Sequence, residues 1–202
     1  MSDGLTAARC CEAMCDTIDA VAGVFLDATS GMERLVEDLE SERAAFVATV
    51  PEHANADAVF LDSPLTYRGI AEGSEGPIHF TSHREYLRRN SLGGDNWLLL
   101  ANLSLVVIYG YWEDHFRAEV AKARGTSKND VNLDVMGELR YYRNSIVHAG
   151  GKAVEQVARN KLLPQFKRGA MIVVDAEMFV EIVFTLKRCL REFAARLPGH
   201  AA

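Results

Sequence analysis

Arg143, Asn144 and His148, in the stretch ELRYYRNSIVHAGG (Glu138 to Gly151), are the residues best suited by type and spacing to chemistry. Histidine titrates near neutrality and carries a proton in either direction. Arginine offers a fixed fork of donors that matches phosphate oxygens. On a helix turning about 100° per residue, Asn144 and His148 lie about 40° apart. Arg143 lies about 140° from His148, so its long side chain must curl round the helix end to meet it. Such a set supplies two of the three parts that metal-free cleavage of RNA requires. A base takes the 2′-hydroxyl proton, positive charge steadies the phosphorane, and an acid protonates the departing 5′-oxygen. One helix does not easily place base and acid on opposite sides of a phosphate, whereas two copies facing across a two-fold axis do. The same residues also read as a helix-end histidine favoured by the helix dipole, beside a surface arginine.

Other candidates offer less. Glu113, Asp114 and His115 are consecutive and point three ways on a helix, which argues against a metal site, although Glu113 is placed to support the motif from a neighbouring helix. Tyr141 and Tyr142 are candidates for stacking on a base, with Tyr142 at core spacing. His53, His79 and His83 lie in irregular stretches without partner spacing. Cys10, Cys11, Cys15 and Cys189 lack zinc-ligand spacing and read as small buried hydrophobes. No phosphate-binding glycine loop, Ser–His–Asp pattern or nucleotide fingerprint is present. No metal or cofactor is therefore expected.

The chain of 202 residues carries a formal charge of −6, which argues against a general nucleic-acid coat. Charge is uneven, however. Acid dominates Glu33 to Glu42 and Asp57 to Glu75, whereas Arg140 to Arg168 holds seven basic residues against Glu155 alone. Arg140, Lys161, Lys167 and Arg168 in that strip are expected to contact an RNA backbone. The stretch WLLLANLSLVVIYGYW is too short and polar for a membrane span, and no secretory signal is visible. A cytoplasmic location without membrane association is the expectation.

The elements that must position the motif are mostly helices. Apolar residues recur at helical spacing from Leu5 to Val50, with a break or kink expected at Thr29 to Gly31 and an end at Pro51. Residues 51–77 show no sustained period, and AVFLD within them suits a short strand. HREYLRRN reads as a short helix capped by Ser82. A long helix is expected from Trp97 to about Ala123, then a motif helix from about Val131 to His148. That helix carries an apolar row of Val135, Leu139, Tyr142 and Ile146 and stops at Gly150 and Gly151. A short helix ended by Pro164, a β element near 170–174, and a last amphipathic helix capped by Asp175 complete the chain. One domain over residues 1–202 is expected, all-α, with a long irregular insert at about 51–81.

The segment LDVMGELRYYRNSIVHAGG resembles the signature helix of HEPN domains, whose motif is Arg, a polar residue, a few more residues, then His. LVVIYGYWEDHFRAEV is similar to the long helix preceding it. The resemblance covers about Trp97 to Gly151 and, loosely, the final helix; it does not account for Pro51 to Pro77. It implies a dimeric helical bundle with paired motifs at the subunit interface, and a metal-independent endoribonuclease. Many such proteins act in toxin–antitoxin, phage-defence or CRISPR-linked systems, with an antitoxin or other regulatory protein as partner. By the resemblance Arg143 binds and stabilises the phosphate, His148 carries the proton, and Asn144 orients the phosphate or the partner histidine. Gly150 stands where some HEPN toxins carry a tyrosine. Other HEPN domains keep the fold but only bind a protein or nucleic acid, which is the alternative reading. A plain helical bundle with a coincidental motif is the third.

Overall fold

The helical periodicity at the start of the chain becomes one helix of 43 residues, α1 (Ala7–Thr49), in the computed structural model, which describes residues 6–50, 55–68 and 77–197. The break expected at Thr29 to Gly31 does not occur. A helical glycine loses roughly 1 kcal/mol against alanine, too little to stop a helix with Phe25, Thr29 and Leu39 buried along it. The described residues are mostly helical, with a single two-stranded sheet. They form two compact units: Met1–Leu26 with Leu98–Ala202, and Asp27–Trp97.

In the unit Asp27–Trp97, the stretch expected to be irregular is ordered where it is described. AVFLD belongs to a helix, α2 (Ala56–Asp62), not a strand. Its Ala56, Phe60 and Leu61 turn inward at helical spacing while Val59 stays exposed. A hairpin follows, β1 (Pro64–Arg68) pairing antiparallel with β2 (Pro77–Ser82); residues 51–54, including His53, and 69–76 lie outside the described residues. Both strands begin with proline, a position where its missing N–H is tolerated. Helix α3 (His83–Asn90) starts as expected, with Ser82 Oγ accepting from the Glu85 amide at 3.2 Å. Leu39, Phe60, Leu61 and Leu87 form a small core, and His83 stacks on Phe60 at 4.6 Å.

In the other unit, α4 (Asp95–Tyr111) runs through a wide π turn, Trp112–Phe116, into α5 (Arg117–Arg124), which ends at the left-handed Gly125. The motif helix α6 spans Asp134–His148, beginning three residues later than expected. Two features keep residues 131–133 out of it. The Val131 carbonyl accepts from Arg117 Nε at 3.0 Å, and Leu133 is extended. Three residues of the apolar row, Val135, Leu139 and Tyr142, are fully buried and Ile146 is half-buried; on the last helix, which α6 contacts, Phe179, Ile182 and Leu186 are fully buried too. That last helix is α7 (Ala176–Ala195), whose cap Asp175 accepts from the Met178 amide at 2.8 Å.

Two expectations between α6 and α7 need correction. The short helix is one 3-10 stretch, Glu155–Arg159. No strand forms near 170–174, only a single bridge between Lys152 and Met171. The facing segment is too short for a ladder, because it leaves a glycine turn at 151 and enters the 3-10 stretch four residues later. Among the described residues no single helix is long and apolar enough to cross a membrane.

Candidate active site

The end of α6 is built around Ser145, which is fully buried. Its hydroxyl donates to the Tyr141 carbonyl at 2.8 Å and accepts from the Val154 amide at 3.0 Å. Its carbonyl accepts from the amides of Ala149 and Gly151. Gly150 and Gly151 both take positive φ, 60° and 81°, a region that favours glycine. The chain then doubles back, and Ala153 N–H donates to the Ala170 carbonyl at 2.8 Å. The last turn of the helix is thus fastened to the segment that follows it.

On this end the three motif residues meet. Arg143 Nη1 lies 2.5 Å from His148 Nε2 and 3.2 Å from Asn144 Oδ1. The helix keeps its form through His148; it is Arg143 that curls across. A guanidinium has only donors, so Nε2 is the acceptor and the imidazole keeps its proton on Nδ1. His148 is exposed, while Arg143 and Asn144 are half-buried. Another guanidinium–imidazole contact, Arg89 Nη1 to His79 Nε2 at 2.6 Å, joins α3 to β2.

Glu113 stands on the π turn that precedes α5. Its carboxylate pairs with Arg117 and Lys128, both at 2.9 Å, and Arg117 in turn holds Val131. Burial opposes the charge on Glu113, but the Lys128 ammonium and Arg117 guanidinium outweigh it and hold the carboxyl below the usual range. Glu113 therefore clamps the approach to α6. Asp114 and His115 are exposed, and among the described residues no three of His, Cys, Asp and Glu gather as metal ligands.

The four basic residues fall into two groups. Arg140 and Lys161 line an open cleft of about 680 Å³ alongside α6. Lys167 and Arg168 are exposed on the turn that closes at Gly169, with Arg168 4.0 Å from Glu155. Tyr141 is half-buried in the wall of the cleft, and the Arg140 guanidinium stands 5.8 Å from its ring centre. Tyr142 is core, its hydroxyl donating to the Pro164 carbonyl at 2.7 Å.

Two contributors belong to no motif in the local sequence. Glu138 accepts from the amides of Lys161, Leu162 and Leu163 at 2.7, 3.0 and 2.8 Å. It thereby folds that loop against α6 and presents Lys161 to the cleft. Tyr109 of α4 stands in the combined field of Glu113, Arg140, Arg117 and Arg143. Burial first and Glu113 second push its hydroxyl up, against those three arginines. Its only trace in the sequence is the four-residue spacing to Glu113. Compared with known protein families, curated proteins and solved structures, the chain matches none of them.

Proposed function

We propose that the chain is a metal-independent endoribonuclease of HEPN type, acting as a homodimer with a composite Arg143, Asn144 and His148 site. The observation that carries this reading is the meeting of Arg143, Asn144 and His148 at one exposed helix end. In the free protein the Arg143 fork occupies His148 Nε2. Phosphate oxygens are stronger acceptors for a guanidinium than a neutral imidazole. An arriving RNA phosphate therefore draws Arg143 away and frees Nε2 as the base. The 2′-hydroxyl gives its proton to Nε2 and attacks phosphorus, while Arg143 steadies the charge gathering on the phosphorane. The second copy of His148, across the two-fold axis and entering the step as imidazolium, gives a proton to the 5′-oxygen as its bond to phosphorus breaks and is left neutral. Asn144 holds the Arg143 fork between these positions. The products are a 2′,3′-cyclic phosphate and a 5′-hydroxyl.

A role in a toxin–antitoxin, phage-defence or CRISPR-linked system, with a regulatory protein as partner, belongs to the same proposal. Its test is RNA cleavage in excess chelator, with end groups analysed and the protein's mass followed by sedimentation. A dimer releasing cyclic-phosphate ends supports the reading. A monomer that binds RNA and leaves it intact assigns the chain to the non-catalytic, binding class.

A further inference from the structure

Gly137 lies in the first turn of α6, exposed and lining the cleft. Apart from its chain neighbours and its own helix backbone, no heavy atom among the described residues comes within 4 Å of the place its Cβ would fill, and its backbone is ordinary helix. Neither packing nor conformation therefore calls for glycine, yet its absent side chain leaves the cleft floor bare. Around that floor stand the half-buried Tyr141, the exposed Arg140 and Lys161, and the amides of Asn132 and Gln156. Of the three carboxylates in the lining, Glu138 is held by three backbone amides and Glu113 by Arg117 and Lys128, while Asp134 stands exposed in the first turn of α6. Arg140 and Lys161 form no ion pair among the described residues, so both cations are open to an arriving anion. A cavity of about 680 Å³ is of the size that holds a small ligand. A stretch of lining bare of side chain at Gly137, an aromatic ring beside it, two amide side chains and two unpaired cations suit a nucleobase and its phosphate.

We infer that this cleft is a nucleobase subsite for the RNA strand whose phosphate Arg143 and His148 hold, which rests on the ribonuclease reading above. Gly137 and Arg143 are six residues apart on one helix, a rise of about 9 Å. The base in the cleft therefore belongs to a nucleotide next to the scissile phosphate or one further on. The base lies over Gly137 and against Tyr141, Asn132 and Gln156 read its edge, and Arg140 and Lys161 take the adjoining phosphate. Cleavage accordingly favours one class of base at that position.

The test separates the subsite from the chemistry. The His148→Ala protein is titrated with the four ribonucleoside 5′-monophosphates and with ribose 5-phosphate, by NMR or calorimetry. At least one nucleotide is expected to bind roughly tenfold or more tightly than ribose 5-phosphate. Tyr141→Leu weakens it at least about fivefold. Gly137→Phe, whose ring covers the floor, abolishes the difference between nucleotides while the melting temperature stays near the parent's. If Gly137→Phe unfolds, Tyr141→Leu alone decides. Equal binding of all five probes, or binding that neither variant changes, overturns the subsite. Discriminating binding by a chain whose parent never cleaves RNA sustains the subsite and rejects the ribonuclease reading instead.

Discussion

Replacing Glu138 by alanine is expected to loosen the loop that carries Lys161 to the cleft. The carboxylate accepts three backbone amides of residues 161–163 at 2.7 to 3.0 Å. Lys161 and Leu162 are exposed, so their amides turn to water and each loss is near the low end, about 0.5 kcal/mol. Leu163 is buried, and leaving its amide unpaired costs about 1–3 kcal/mol. The sum is roughly 2–4 kcal/mol. For a chain of this size each kcal/mol moves Tm by about 2–4 °C, so the expected fall is about 5–15 °C by circular dichroism. Glu138→Gln keeps a carbonyl acceptor for Leu162 and Leu163 and is expected to lose less than half as much. A Glu138→Ala protein melting within 2 °C of the parent would refute the claim that this carboxylate fastens the loop.

Ser145→Ala takes the acceptor from the half-buried Val154 amide; a loss of about 1 kcal/mol is expected in chemical denaturation, with faster hydrogen exchange at Val154. Burial first, then the neighbouring thiols Cys10 and Cys15 and the Glu12 carboxylate, push the Cys11 thiol up to about 12. Only about one in 10,000 of it is ionised at pH 8. Mass spectrometry after maleimide treatment is expected to find Cys11 modified only in denaturant. Because the Glu113 carboxyl is held low by its cations, its contribution to stability is full above the ordinary glutamate range, about pH 4.3. It fades as pH falls through the depressed value. The Tm gap between the parent and Glu113→Gln is therefore widest above about pH 5 and narrows in acid.

The core helix of the site was legible because its apolar row repeats at helical spacing and ends at two glycines. Val135, Leu139 and Tyr142 are buried where the pattern puts them, and Gly150 and Gly151 take the left-handed turn. AVFLD was not legible, since a short apolar run suits strand and helix alike, and only burial of Phe60 and Leu61 in the small core decides. The hairpin escaped notice because Pro64 and Pro77 read as breaks, though each opens a strand. Within the site, Arg143 and His148 could be paired from the sequence because arginine's reach spans the turn between them. Glu138 could not be assigned, because its partners are backbone amides 23 to 25 residues away. Tyr109 reaches the same arginines from another helix, a relation that no local spacing encodes.

The central claim is that Arg143 and His148 perform one reaction rather than decorate a helix end. The rate of RNA cleavage in excess EDTA, compared among the parent, Arg143→Ala and His148→Ala, tests it most directly. Both side chains lie off the buried row, so each variant is expected to melt near the parent while its cleavage falls at least about a hundredfold. Contradiction takes an equally definite form: cleavage at the parental rate in a His148→Ala protein that melts earlier, the behaviour of a histidine that only finishes its helix.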